Sequence, residues 1–484
     1  MSIAAPTLLR NTCLIGGKWV AAKSGRSFSV INPATGENVG DVPLMGADET
    51  RAAIAAAHEA LQPWQRLTAL ERSDILIRWH DLMTQHADEL ARILTLEQGK
   101  PLAEAKGEIT YAASFLRFFG EEARRIYGET IPAHRADTRI IVIKQPVGVA
   151  ACITPWNFPA AMVTRKLAPA LAAGCTAVLK PARQTPLTAL AIAALGEQAG
   201  VLPGTINIVT GDAGVIGDEL CASPLVRKLS FTGSTETGKM LAAKCAGTVK
   251  KISLELGGNA AFIVFDDADL DAALEGAMTA KFRGMGQSCV AANRFLVQAG
   301  IYDAFAARFT ERVKKLAVGN GLEAGTAIGP LINKAAIEKI RAHIADAVKK
   351  GAKILTGGNP HALGGNFFEP TVISGGTQDM LMANEETFGP VAALMRFDSE
   401  DQAIEIANAT PFGLVSYFYT ADLARSFRVA EKLESGMVGV NTGFISVEIA
   451  PFGGIKESGM GREGSRHGIE EFLELKYLCI GGIG

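Results

Sequence analysis

The chain has 484 residues, 48% of them hydrophobic and 20% charged, with 48 basic residues against 50 acidic ones. That length implies two or three compact domains, and the balanced charge excludes the basic excess that would advertise a nucleic-acid or anionic-membrane partner. The seven cysteines are scattered, odd in number and never spaced as CxxC, which argues against zinc and a disulfide framework and for a reducing cytoplasm.

The opening "MSIAAPTLLRNTCLIGGKWV" lacks a long apolar run behind a basic start and does not read as a signal peptide. From about residue 47 to 125 the pattern is helical, with "EQGK" closing one helix and Pro101 suited to the first turn of the next. "RIIVIKQPVGVAACITPW" then reads as extended chain, and Lys144 and Pro146 break it as a membrane span. Strand-like and helical runs alternate after it: "TAVLKPA", a helix from about 186, "TINIVTG", a helix from about 213, "RKLSFTGS", a helix from about 235, and "NAAFIVFDD". Such alternation predicts a parallel sheet with crossover helices. It restarts after Cys289 with "RFLVQ", "AKILTGG", "VAALMRF", "LVSYFYT" and "MVGVNT", predicting a second α/β domain with the Cys289 stretch at the join. "EFLELKYLCIGGIG" reads as a strand without an obvious local partner. Paired with another subunit it would extend a sheet; otherwise it is an ordinary edge strand.

Cys289 lies in "GMGQSCVAANR", among Gly284, Gly286, Gln287, Ser288 and Asn293 rather than in a helical or strand period. Glycine permits close backbone approach to a ligand, so a nucleophilic thiol and a small buried hydrophobe both remain open here. Glu255 precedes the Gly257–Gly258 pair in "SLELGGNAAF". Buried, its carboxyl would be raised toward the range of a general base; exposed, it is a plain strand-end glutamate. In "ITPWNFPAAMVTRK", Pro155 and Pro159 bracket Asn157, whose amide suits an oxyanion, although Pro-Trp-Asn also makes a good turn. No GxGxxG follows the first strand. Instead "KLSFTGSTETG" runs from a strand through Gly233 and Ser234 into a helix start, which can seat a phosphate. "VLKPARQTP" offers Lys180 and Arg183 after another strand, where they can meet a ribose or its 2′-phosphate.

In order along the chain, "PWNFP" (155–159), "LKPA" (179–182), "FTGS" (231–234), "ELGG" (255–258), "GQSC" (286–289), "EETFGP" (385–390) and "PFGG" (451–454) resemble the motifs of the aldehyde dehydrogenase superfamily. The resemblance covers essentially the whole chain. It implies an α/β fold of that family: a variant Rossmann cofactor domain (1–125 and 146–256), a second α/β catalytic domain (257–450) and β-strand oligomerisation segments (126–145 and 468–484). A homodimer or homotetramer follows from it. It also implies roles. Cys289 attacks an aldehyde, Asn157 and the Cys289 N–H hold the oxyanion, and Glu255 activates the water that hydrolyses the thioester. Glu386 holds the nicotinamide ribose, while Thr154, Pro155, Trp156, Lys180, Pro181, Ala182, Gly233, Ser234, Leu256 and Phe388 line the cofactor site. No metal is needed. Relatives that prefer NAD commonly carry a glutamate where this chain has Arg183, so NADP is expected, with NAD used less well.

Within the superfamily the chain looks most like the bacterial succinate-semialdehyde dehydrogenases, on "LTLEQGKPLAEAKGEITYAASF", "KQPVGVAACITPWNFPAAMVTRK", "LVRKLSFTGSTETG" and "SGMGREGSRHGIEEFLELKY". Arg165, Arg283 and Ser446 match that group's carboxylate-binding residues. Succinate semialdehyde is therefore the expected substrate, as in 4-aminobutyrate degradation. Glutarate semialdehyde, one methylene longer, is the rival, with a broader aldehyde range as the other alternative. A member retired from catalysis would have lost Cys289, Glu255 or Asn157, and a coenzyme-A-acylating one would lack Glu255; all three residues are present. Members of this group often carry Cys-x-Cys at the catalytic loop, and Ala291 at the second position predicts the absence of that disulfide switch.

Overall fold

The computed structural model describes residues 7–483; the outermost residues of two expected segments, 1–6 and 484, lie outside the described residues. Two small hairpins open the chain, Cys13–Ile15 with Lys18–Val20 and Ser27–Ile31 with Asn38–Pro43. Four helices follow: α1 (Ala47–Arg66), α2 (Ala69–Gln85), α3 (Ala87–Gln98) and α4 (Leu102–Ala123). Their boundaries have local causes. Thr68 and Glu71 form a reciprocal capping box before α2, and α3 stops at Gly99, left-handed at φ 92°. Pro101 is the residue before the first helical residue of α4, where its missing N–H costs no hydrogen bond.

The extended stretch before Trp156 divides at Gly148 (φ 125°), and its halves, Arg139–Pro146 and Val149–Ile153, join different sheets. Val149–Ile153 is central to a parallel sheet in which Ile206–Ile208, Thr176–Lys180, Val149–Ile153, Val226–Thr232 and Lys251–Glu255 lie side by side. Numbered along the chain, that order is 3-2-1-4-5, the doubly wound arrangement, whose crevice opens where the order reverses. The strands Val149–Ile153 and Thr176–Lys180 are buried throughout, as a parallel sheet covered on both faces requires. The helix α5 (Ala161–Ala173) is buried at every position, as a helix that is apolar apart from Thr164, Arg165 and Lys166 can be. Trp64 and Trp79, with no exposed surface, donate their indole N–H groups to Leu171 O (3.1 Å) and Ile192 O (3.0 Å), fastening α1 and α2 to the helices over this sheet.

A second sheet has seven strands in the order Lys353–Thr356, Thr371–Ser374, Val391–Phe397, Ala292–Gln298, Ala260–Val264, Val415–Tyr419 and Met437–Val440. It is parallel except for Lys353–Thr356 at one edge. One face packs an aromatic core containing Phe262, Phe295, Phe309, Tyr417 and Tyr419. Between the two sheets run residues 256–259, and the chain later returns: Gly459–Met460 pairs antiparallel with Lys251–Glu255, so part of the segment beyond residue 450 belongs with the first sheet. The C-terminal strand does have a partner. Leu473–Ile480 pairs along its whole length with Arg139–Pro146 of the same chain, from Leu473 opposite Pro146 to Ile480 opposite Arg139. It forms one edge of a three-stranded antiparallel sheet completed by Glu129–Ile131. Among the described residues no helix is long and apolar enough to cross a membrane.

Candidate active site

The ends of the first sheet's strands deliver the polar residues to one place. Ile153 is followed by Thr154–Asn157, Thr232 by Gly233 and Ser234, and Glu255 is itself the last residue of its strand. Ser234 caps the helix Thr235–Ala246 by accepting the Thr237 N–H. These ends meet the Cys289 loop of the second sheet around a cavity of about 390 Å³. Its walls include Pro155, Trp156, Asn157, Arg165, Gly233, Ser234, Glu255, Leu256, Arg283, Cys289, Glu386, Phe388 and Ser446.

The Cys289 loop is held in an uncommon backbone path. Gly284, Met285 and Gly286 are all left-handed, at φ 62°, 59° and 69°. For Met285 this conformation is strained. A Cβ on Gly286 would lie 2.2 Å from the Gly389 carbonyl oxygen, and one on Gly258 would lie 2.8 Å from that of Cys289. Glycine therefore lets three separate segments close on the thiol. Gln287 Oε1 accepts the Ile332 N–H at 3.0 Å, and Val290 O accepts the Tyr417 hydroxyl at 2.9 Å, tying the loop to distant chain.

Asn157 is buried and donates one amide hydrogen to Gln287 O at 2.9 Å, which leaves its second N–H for a ligand. Glu255 is 3% exposed, and its Oε2 is buried without a hydrogen-bond partner. Burial, reinforced by the nearby Glu463 charge, raises its carboxyl well above the ordinary range, against the pull of Arg165 and Lys166. Burial likewise pushes the Cys289 thiol up to about 12, with the Glu386 and Glu255 charges adding to the shift and Arg165 opposing it. Glu386 is pushed up to about 7 by burial, although its Oε1 accepts the Gly258 N–H at 3.4 Å. The ring of Phe388, itself left-handed at φ 55°, packs edge-on to Trp156 with centroids 5.5 Å apart. A thiol, an amide donor and a buried carboxyl group lining one cavity can support acyl chemistry on sulfur.

The aldehyde dehydrogenase family model matches residues 19–478. The chain belongs to the aldehyde dehydrogenase family. It is 62% identical over 483 residues to a glutarate-semialdehyde dehydrogenase of Pseudomonas aeruginosa, covering 100% of both chains. It is 60% identical over 481 residues to the NADP(+) succinate-semialdehyde dehydrogenase of Escherichia coli, covering 99% of this chain and 100% of that one. A solved succinate-semialdehyde dehydrogenase from Burkholderia pseudomallei superposes with a TM-score of 0.98 at 58% identity, over 99% of this chain and 100% of the other.

In this aldehyde dehydrogenase the remaining residues singled out from sequence fall into two places. Arg283 and Ser446 share the cavity with Cys289, and the Arg283 guanidinium lies over the rings of Phe444 (4.8 Å) and Phe158 (5.5 Å). Thr154, Lys180, Pro181, Ala182 and Arg183 do not line the cavity but sit beside it at the sheet's carboxyl edge, where Thr154 N–H bonds to Lys180 O at 3.1 Å. Burial lowers the Lys180 amine to about 8, with Asp212 opposing the shift. Arg183 is exposed, with its guanidinium 4.6 Å from the centre of the Phe28 ring. Ala291 is buried at the end of the thiol loop, where its N–H donates to Ser288 O at 3.0 Å. Among the described residues no group of three or more His, Cys, Asp or Glu side chains is placed to hold a metal ion.

Sequence reasoning missed Glu463 and Lys166. Glu463 accepts from Arg165 Nε at 2.6 Å and, through its other oxygen, from Lys166 Nζ. Burial opposes its ionisation, yet Lys166 and Arg165 hold it below the usual carboxylate range. One signal was available: two adjacent cations inside the otherwise apolar "AAMV…LAPALAA" run demand a buried anion from elsewhere.

Proposed function

We propose that this aldehyde dehydrogenase oxidises succinate semialdehyde to succinate with NADP+ as the preferred cofactor. The observation that carries the reading is Arg165. It lines the cavity with Cys289, its Nε is engaged by Glu463, and its Nη2 is buried with no partner. An unpaired buried guanidinium donor is costly unless a ligand completes it, and a carboxylate is the complement its geometry suits. Arg283 and Ser446 add a second cation and a hydroxyl to the same wall.

The cofactor site fits its ligand in the same physical terms. Lys180 Nζ is buried and, among the described residues, bonds only to the Pro181 carbonyl, at 3.3 Å, so it has donors to spare for a ribose. Arg183 supplies the exposed cation for a 2′-phosphate, and Ser234 opens a helix toward the crevice. Trp156, Gly233, Leu256, Glu386 and Phe388 would carry the nicotinamide half. Bound there, the nicotinamide supplies the hydride acceptor.

The chain's own residues do the rest. Cys289 loses its thiol proton to solvent and adds as the thiolate to the aldehyde carbonyl. Asn157 and the Cys289 N–H stabilise the oxyanion, each such donor typically contributing about 10²–10³ in rate. Once the carbon is oxidised to a thioester, Glu255 takes a proton from water as that water attacks, and succinate leaves from the thiol. The same reading assigns 1–125 with 146–256 to the cofactor, 257–450 to catalysis, and 126–145 with the C-terminal strand to a homodimer or homotetramer.

Glutarate semialdehyde is the second reading. The name of the Pseudomonas aeruginosa relative favours it, and one methylene changes binding in such a pocket by only about 1–3 kcal/mol. The test is kcat/KM for succinate semialdehyde, glutarate semialdehyde and butanal, each with NADP+ and NAD+. The reading requires succinate semialdehyde with NADP+ to rank first. Butanal performing equally well would remove the carboxylate pocket, and glutarate semialdehyde ranking first would install the second reading.

A further inference from the structure

Residues 100–108 contribute nothing to the wall of the catalytic cavity, yet they hold two of the loops that form it, those of Asn157 and Cys289. Lys100 stands just ahead of α4, with Glu104 and Glu108 one turn apart on that helix. Lys100 Nζ lies 2.5 Å from Glu108 Oε2 and donates to the Asn157 carbonyl at 2.9 Å. It also sits 3.9 Å from the centre of the Phe158 ring. Both side chains of the pair are 1% exposed. The other Glu108 oxygen accepts the Ala160 and Ala161 N–H groups at 2.9 and 3.2 Å. Glu104 accepts the Gly284 N–H at 2.8 Å, at the entrance to the Cys289 loop.

A buried ion pair loses the hydration of both charges, and apolar residues of similar volume would pack as well or better. What the charges add here is direction. Lys100 pins the peptide on the carbonyl side of Asn157, and Glu108 pins two N–H groups three and four residues later, with Pro159 stiffening the chain between them. The Asn157 side chain, already tied to Gln287 O, is thereby left one orientation.

We propose that the Lys100–Glu108 pair is a positioning device for the oxyanion site, acting on the reaction through Asn157. The proposal rests on the reading of Asn157 as oxyanion donor. A displacement of about 1 Å in a catalytic group costs on the order of 10²-fold in rate, so loss of the pins is expected to slow chemistry without touching the cofactor grip.

The test is a double-mutant cycle read in the first turnover, using the full-length enzyme, NADP+ and saturating succinate semialdehyde. Lys100→Met is expected to slow first-turnover NADPH formation about 10–100-fold, with cofactor affinity by fluorescence titration within about twofold of the parent. In an Asn157→Ala background the same substitution is expected to change that rate by less than about threefold, because the group it acts through is gone. Equal costs in both backgrounds would overturn the proposal, since a general disturbance of the fold is additive. Should Lys100→Met fail to fold, Glu108→Gln replaces it: the amide keeps an acceptor for the Ala160 and Ala161 N–H groups and removes the charge that holds Lys100. The same non-additivity is required of it. An Asn157→Ala enzyme with an unchanged first turnover would instead overturn the oxyanion reading itself, a separate and distinguishable failure.

Discussion

Glu463 lies 298 residues beyond Arg165 in the chain, yet its carboxylate accepts the Arg165 Nε–H at 2.6 Å in a site where both side chains are almost fully buried. With Lys166 on its other oxygen, Glu463 pairs with two buried cations at once, one of which, Arg165, lines the substrate cavity. It also faces Glu255, and its negative charge is one of the causes that raise the Glu255 carboxyl.

That double role gives the first prediction. In Glu463→Gln the like charge beside Glu255 disappears, so the Glu255 carboxyl moves down. A general base works deprotonated, and its rate falls as pH drops through its pKa. The acid limb of thioester hydrolysis should therefore shift to lower pH in the variant. Single-turnover hydrolysis followed from pH 5 to 9 measures it; an unmoved limb would detach Glu463 from the base. The variant should also be less stable, by about 3–5 kcal/mol, because two buried cations lose their partner.

The second prediction concerns Arg283. Its guanidinium lies over the rings of Phe444 and Phe158, and methionine can keep much of that packing while removing the charge. A hydrogen bond to a charged group contributes about 1.5–3 kcal/mol, so Arg283→Met should lower kcat/KM for succinate semialdehyde about 10–100-fold. Butanal, which has no carboxylate, should change by less than about threefold. Equal losses for the two substrates would mean that Arg283 serves the loop rather than the substrate.

How far the sequence foretold this arrangement depended on distance along the chain. Helix starts at Ala47, Ala213 and Thr235 and the strands Thr176–Lys180 and Val226–Thr232 were legible because caps, glycines and apolar runs are local. Cys289, Asn157 and Glu255 could be suspected for the same reason: each sits in a short, conformationally unusual stretch. Partnership was not legible. Nothing within "EFLELKYLCIGGIG" names Arg139–Pro146 as its neighbour, because strand pairing is decided by tertiary packing. Nor does "GREG" announce a counter-ion for Arg165. The pins from Lys100, Glu104 and Glu108 were hidden likewise, since a glutamate on an amphipathic helix is ordinarily a solvated one.

Cys289 yields a third prediction. Burial and the Glu386 and Glu255 charges push its thiol up to about 12, so near neutral pH the protonated thiol dominates in the free enzyme. The thiolate fraction then grows about tenfold per pH unit until the pKa is approached. Alkylation of the free enzyme by iodoacetamide, followed on the Cys289 peptide by mass spectrometry, should rise with that slope from pH 7 to 9. A plateau below pH 8.5 would reveal an already activated thiol.

Ala291 sets the fourth. The residue two places beyond Cys289 is a buried alanine, which offers no sulfur for a bridge. Peroxide should inactivate the enzyme by oxidising Cys289 outright, and thiol reductants should fail to restore activity through any Cys289 disulfide. Recovery on thiol treatment together with an intramolecular Cys289 disulfide in the peptide map would contradict this.

Arg183 carries the fifth. It is exposed at the carboxyl edge of the first sheet, and contact with the Phe28 ring holds its guanidinium beside the segment that follows Lys180. A phosphate monoester beside that cation gains charge-assisted hydrogen bonds, whereas a plain ribose does not need them. Arg183→Glu reverses the local charge, so it repels the 2′-phosphate and can accept from ribose hydroxyls instead. The expected outcome is a fall of about 10–100-fold in kcat/KM for NADP+, with NAD+ unchanged or improved, at constant succinate semialdehyde. If the two cofactors lost activity in equal measure, Arg183 would be supporting the strand-end loop and the preference for NADP+ would need another source.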